Sequence, residues 1–318
     1  MPLVESQYKA PSFWHQNPHF STIYCGRIKK ATPPLYQRQR IELEDGDFLD
    51  IDFVLKSAKR AVVLCHGLEG GSDRTYNNTS ADYFLKRDFS VFAWNNRSCS
   101  GEMNRLPKLY HHGAVEDFSE MVNFVLDKGF DEIYLMGFSM GGAQVMNYLG
   151  SSEMDSRIRA AVAVSTPIQL KSSAEALKKG FNQVYLKNFT RKISKKLKSK
   201  SLQHPDALDW SKLKMIRSFD EIDEFFTAPL HGFSGREDYY KRASPAYVME
   251  KIQTPVLLLN ALDDPFLGTE SFPFEFAENN PFIYLETPRN GGHCAFPVKN
   301  SYYAYSEIRA HEFFMKKP

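Results

Sequence analysis

The chain has 318 residues, 42% hydrophobic and 14% aromatic, which is enough apolar side chain for one large core and excludes a disordered polymer. Its 40 Lys and Arg against 38 Asp and Glu leave a net charge of +2, without the basic excess of a dedicated nucleic-acid binder. Cys25, Cys65, Cys99 and Cys294 are scattered, which speaks against a disulfide framework or structural zinc and for reduced thiols in a cytoplasm. The first twenty residues lack the apolar stretch of about 7–15 residues that a signal peptide needs. No run approaches the roughly 20 apolar residues of a membrane helix, so a soluble cytoplasmic protein is expected.

Residues 1–35 are rich in Pro and aromatics without a clear period, and read as an extended arm over the body. Two strands follow, at 40–43 and 48–55, joined by Glu44-Asp45-Gly46-Asp47, where Asp-Gly supplies the backbone of a tight hairpin. Short continuous apolar runs then predict strands at 61–65, 90–94, 133–138, 160–164, 255–260 and 282–287. Runs without alternation suit strands buried on both faces of a parallel sheet. Helices are predicted between and after them. Residues 113–128 place Val115, Phe118, Met121, Val122, Val125 and Leu126 on one face, residues 140–149 are almost wholly apolar, and 301–315 form a last aromatic helix. Residues 167–245 carry no convincing strand and read as a helical cap inserted into a core of 36–166 and 246–318. The fold class is α/β: a mostly parallel sheet with an N-terminal antiparallel hairpin, helices on both faces and the cap.

The chemistry centres on Gly137-Phe138-Ser139-Met140-Gly141, followed by Gly142. This G-x-S-x-G lies directly after a predicted strand and before a predicted helix, where a sharp strained turn would present Ser139 as a nucleophile. A serine needs a base, and His293 in Asn290-Gly291-Gly292-His293 follows the last strand on a glycine-rich loop. The base needs an orienting acid. Asp263 and Asp264 follow the strand at 255–260, and the spacing after that strand favours Asp264, with Asp263 as the alternative. The backbone N–H groups of Leu68, in the glycine-rich loop from His66 to Gly71, and of Met140, at a helix start, are the expected oxyanion donors. The glycine pattern at 66–71 is not that of a phosphate loop, because no G-K-[ST] follows it. Neither a cofactor nor a metal is called for.

These stretches resemble the α/β-hydrolase superfamily and, within it, the YheT-like hydrolases. The resemblance runs through His66-Gly67-Leu68-Glu69-Gly70, Asn96 to Glu102, Tyr110-His111-His112-Gly113, Gly137 to Gly142, Thr227 to Phe233, Asn260 to Phe266 and Gly291-Gly292-His293. The motif at 227–233 lies in the cap and is not general to α/β-hydrolases. The resemblance implies a Ser–Asp–His hydrolase of carboxylic esters, acting through an acyl-enzyme; the alternatives are a thioesterase or amidase using the same triad, or a non-catalytic ligand-binding scaffold. Some eukaryotic members are lipid hydrolases with an N-terminal membrane helix, a feature this sequence does not display.

Other groups read more plainly. His111-His112 have no carboxylate or Cys at ligand spacing and are expected to be structural. Arg97 and Glu102 are read as bracing the loop with a salt bridge, and Cys294 as a small packing residue. Arg191 to Lys200 holds six Lys or Arg in ten residues, with Ile193 and Leu197 as a narrow apolar stripe. It reads as a solvated helix face, with weak contact to anionic lipid as the sharper alternative. The expected ligand is a small acyl ester, not nucleic acid. Aromatics of the cap (Phe181, Phe189, Trp210, Phe219, Phe225, Phe226, Phe233, Tyr239 and Tyr240) lead us to expect an apolar acyl pocket where cap meets sheet, floored by Leu68 and Met140.

Overall fold

The computed structural model describes residues 3–151 and 153–316. Among them one sheet gathers β1 (Leu3–Val4), β2 (Gln37–Glu42), β3 (Phe48–Val54), β4 (Arg60–Cys65), β5 (Ser90–Asn95), β6 (Glu132–Phe138), β7 (Ile158–Val164), β8 (Val256–Leu259) and β9 (Ile283–Glu286). Their order is β1-β9-β8-β7-β6-β4-β5-β3-β2. β2 pairs antiparallel with β3 and β3 with β5, and the other pairs are parallel. The predicted runs are thus strands, with ends that agree to within three residues, and the Asp45-Gly46 hairpin joins β2 to β3.

Both faces of the sheet are covered, which explains why the central strands are apolar at successive positions. The helices are α1 (Pro18–Ile23), α2 (Thr75–Leu85), α3 (Val115–Leu126), α4 (Met140–Leu149), α5 (Leu170–Leu177), α6 (Asn182–Gln203), α7 (Phe219–Ile222), α8 (Ala228–Leu230), α9 (Arg236–Ala243), α10 (Phe274–Asn279) and α11 (Tyr305–Met315). Val63 of β4 faces one core with Phe118 and Val122 of α3 and Val145 of α4. Val62 and Leu64 face the opposite core with Phe84 of α2 and Phe313 of α11. The face predicted for α3 is buried at Phe118, Met121, Val122 and Val125. No helix among the described residues is long and apolar enough to cross a membrane.

Two regions differ from the sequence reading. The arm is not simply extended. Leu3–Val4 adds a parallel edge to β9, and residues 13–28 are helical turns, with α1 started by Pro18 and capped by Asn17, which accepts the Phe20 N–H at 3.0 Å. α2 shows little apolar period, because its first half buries polar side chains and, of its buried residues, only Ala81, Tyr83 and Phe84 reach the apolar core. Asn77 donates to Gly71 O at 2.9 Å, and Asn77, Asn78, Thr79 and Ser80 are all buried.

Residues 167–245 contain helices and no strand among the described residues. α5, α6 and the turns from Phe219 to Leu230 fold over the carboxyl ends of the central strands. The basic stretch in α6 is not a uniformly solvated face. Lys196 turns inward to Glu69 at 2.9 Å, and Lys200 is fully buried with its ammonium on Asn104 O. Burial pulls the Lys200 ammonium down to about 8. Arg97 and Glu102 do not bond each other. Arg97 is buried against Asp117, Asp47 and Asp45 at 2.6, 2.8 and 2.9 Å, and Glu102 pairs with Arg40 at 2.7 Å.

Candidate active site

Ser139 sits between β6 and α4 with φ 55° and ψ −120°, a conformation disfavoured for any residue with a side chain. Its N–H donates to Val164 O of β7 at 2.8 Å. Glycines make the turn possible. A Cβ at Gly137 would lie 2.4 Å from Gly141 O, and one at Gly141 would lie 2.3 Å from Cys65 O. Both clashes are with backbone, which cannot swing aside. Gly141→Ala should therefore destabilise the fold by about 1–3 kcal/mol or more, read as a lower urea midpoint at unchanged slope. A variant as stable as the parent would contradict this packing.

The loop after β9 brings His293 to the site, and the loop after β8 brings the two aspartates. They diverge. Both Asp264 oxygens lie 3.0 Å from His293 Nδ1, and Oδ1 also accepts the Phe266 N–H at 2.9 Å. Asp263 turns the other way, accepting the Gly292 N–H at 2.9 Å and the Asn290 amide at 3.2 Å. The Asp264 side chain is wholly enclosed. Burial disfavours the His293 imidazolium, but the charge and hydrogen bond of Asp264 together with the neighbouring Cys294 outweigh that and raise the imidazole above its ordinary range. With Nδ1–H on Asp264, Nε2 is the free ring nitrogen. The imidazole also stacks on Phe266, with centroids 4.1 Å apart.

Ser139, His293, Leu68 and Met140 line one cavity, closed on the cap side by Phe189, Ile193, Leu197, Phe219, Ile222 and Phe226. No Ser139–His293 hydrogen bond is formed, as is common for such pairs without substrate. The two proposed donors are set differently. Met140 opens α4, so its N–H has no acceptor within the helix. In the loop after β4 the neighbouring donors are occupied: Gly67 N–H by the Tyr76 hydroxyl and Glu69 N–H by the Tyr110 hydroxyl, each at 2.9 Å. Among the described residues the Leu68 N–H between them has no partner. His66 stiffens the loop from inside, its Nδ1–H on Gly67 O at 2.7 Å and its Nε2 accepting the Asn96 N–H at 3.0 Å. Burial lowers its pKa to about 4, so it stays neutral.

Three contributors were not readable from the sequence. Glu69 binds the Tyr110 hydroxyl at 2.6 Å and Lys196 of α6 at 2.9 Å, pinning the cap to the loop that carries Leu68. Thr22 of α1 accepts the His293 N–H at 2.9 Å, so the arm holds the histidine loop. Asp223 faces the cavity between the Thr227 hydroxyl at 2.9 Å and the Tyr240 hydroxyl at 3.1 Å, and burial raises it to about 7. His111 is buried and His112 half-buried, and both line the cavity. The His111 ring meets the cap's His231 at 4.4 Å, and His112 bonds the Tyr239 hydroxyl at 2.9 Å. Cys294 is buried, its N–H on Ser165 Oγ at 2.8 Å. Of the predicted cap aromatics, Phe189, Phe219, Phe226, Tyr239 and Tyr240 line the cavity, whereas Phe181 is half exposed.

The α/β hydrolase fold family matches residues 60–299. A candidate esterase of Escherichia coli (strain K12), YheT, is 31% identical over 287 residues, covering 88% of this chain and 84% of its own. A monoacylglycerol lipase of Saccharomyces cerevisiae is 32% identical over 250 residues, 75% of this chain and 55% of its own. The human phospholipase ABHD3 is 27% identical over 309 residues, 93% of this chain and 75% of its own. Among solved structures, the Pyrococcus furiosus esterase Pf2001 superposes with a TM-score of 0.57 at 17% identity, over 91% of this chain and 97% of that one, a likeness of fold. The chain belongs to the α/β-hydrolase fold family and, within it, to the YheT-like hydrolases.

Proposed function

We propose that the protein is a serine hydrolase that cleaves carboxylic esters of apolar acids. One observation carries this reading: a serine on a strained strand–helix turn shares an apolar cavity with a histidine whose Nδ1 is held by a buried carboxylate. In this mechanism Ser139 Oγ attacks the ester carbonyl while His293 Nε2 takes its proton. The N–H groups of Leu68 and Met140 receive the oxyanion, each such donor contributing about 2.7–4 kcal/mol to the transition state. Collapse expels the alcohol, protonated by His293, and leaves an acyl-enzyme. Water, deprotonated by the same histidine, then releases the acid. Asp264 keeps Nδ1 protonated and stabilises the imidazolium. The relatives described as an esterase, a monoacylglycerol lipase and a phospholipase support ester cleavage as the reaction class.

The cavity wall sets the expected acyl group. Phe189, Ile193, Phe219 and Phe226 offer apolar surface to a chain entering from Ser139. Each methylene buried there should contribute about 0.8 kcal/mol, or roughly fourfold. Specificity constants for p-nitrophenyl esters should then climb from acetate to at least medium chains, with Ser139→Ala protein as the blank. A series that is flat or falls from acetate onward would overturn the apolar acyl pocket.

A further inference from the structure

α6 has two faces. Its inner face, with Phe189, Ile193 and Leu197, walls the cavity. Its outer face repeats at spacings of three and four: Val184, Lys187, Arg191, Lys195, Lys198 and Leu202, all exposed, Val184 by 56% and Leu202 by 79%. Across its 22 residues the helix has no Asp or Glu to neutralise these cations. An uncompensated cationic stripe with apolar residues at both ends is the pattern of a helix lying on an anionic surface.

The arm extends this face with aromatics. Phe13 is 78% and Trp14 68% exposed, and their rings are 6.2 Å apart. Trp14 meets Phe20 at 6.4 Å, and the neighbouring His19 packs on Phe181, next to the start of α6, at 4.6 Å. Phe181 is itself 51% exposed. Further along the arm, Arg27 is exposed, and after burial and Arg74 it adds to the lowering of the Lys192 ammonium of α6. Aromatics and cations therefore share one surface, and single scattered apolar residues do not account for it.

We propose that the arm and the outer stripe of α6 form a docking surface for an anionic lipid bilayer. Phe13, Trp14 and Phe181 enter the boundary between headgroups and acyl chains, and Lys187, Arg191, Lys195 and Lys198 face the headgroups. A nucleic acid would use the cations but leave this apolar cluster in water. The surface adjoins the histidine end of the site. Tyr185 of α6 packs on Phe266 at 4.8 Å, Phe266 stacks on His293, and Thr22 of the arm accepts the His293 N–H. Docking would bring acyl chains to the cavity without a passage through bulk water.

The test uses the full chain and vesicles of phosphatidylcholine, alone or with about a third phosphatidylglycerol, read by sedimentation and by the blue shift of Trp14 emission. Each basic side chain near such a surface contributes about fivefold to partitioning. Binding to the anionic vesicles should exceed binding to phosphatidylcholine by at least about 30-fold and weaken with salt. K187E/R191E and F13S/W14S should each lose at least about tenfold. All these positions are exposed, so unchanged thermal midpoints verify that the variants fold. Equal partitioning onto both vesicle types, parent-like binding by either variant, or binding to duplex DNA without binding to vesicles would overturn the proposal. None of these readouts depends on ester hydrolysis, so the docking surface and the reaction stand or fall separately.

Discussion

Ser139→Ala should lower kcat for a short p-nitrophenyl ester by about 10⁵-fold or more, the scale seen when a serine nucleophile is removed from a working triad. The fold should survive, because alanine fits the same turn and loses only the hydroxyl. Residual turnover above the uncatalysed rate, about 10³–10⁴-fold, would still come from the Leu68 and Met140 donors and the cavity. Stopped-flow or long-time assays on protein free of contaminating esterase can read this range. A variant retaining more than a few per cent of parent activity would remove Ser139 from the mechanism.

The second large effect separates two neighbouring carboxylates. Asp264→Asn should cut turnover by about 10⁴-fold, because an amide can donate to Nδ1 and so hold the imidazole in the tautomer that cannot accept the serine proton. Asp263→Asn should leave kcat within about tenfold, since its carboxylate meets Gly292 N–H and Asn290 rather than the ring; its cost should fall on stability, about 1 kcal/mol for a weakened half-buried acceptor. The pH dependence adds an independent readout. His293 must be neutral to act as a base, and Asp264 favours its charged form. Activity should therefore rise with pH through an apparent pKa above the ordinary 6.5 of histidine, and the limb should shift to lower pH in Asp264→Asn. Equal losses in the two variants, or a larger loss in Asp263→Asn, would reverse the assignment.

How much of this could be read from sequence follows from where the information sits. β4 to β9 were legible because strands buried on both faces must be apolar at successive positions, as β4 is from Ala61 to Cys65. β1 was not, because two residues on an edge hold their place by backbone pairing with Leu285 and Glu286, which leaves no side-chain pattern. α2 was hidden by the polar side chains its first half buries. The Asn17-Pro18 start of α1 was a legible signal that the surrounding Pro-rich composition obscured.

The site divides in the same way. Ser139, Asp264 and His293 were chosen from position relative to strands, and the structure brings the three to one cavity and its wall. Their supports could not be found locally. Tyr110 acts on a loop 41 residues earlier, Lys196 reaches Glu69 across 127 residues, and Thr22 reaches His293 across 271. A lysine-rich stretch shows how many cations a helix carries but not which way each turns. Lys196 and Lys200 point inward because Glu69 and Asn104 O are there to receive them.

The central claim, that Ser139 is the nucleophile of this cavity, is tested most directly by reaction with an alkyl fluorophosphonate followed by peptide mapping in a mass spectrometer. The predicted result is one phosphonyl adduct per chain, on the peptide containing Ser139, with activity lost in step and no adduct on Ser139→Ala protein. An adduct on another residue, or full esterase activity after stoichiometric labelling of Ser139, would contradict the account.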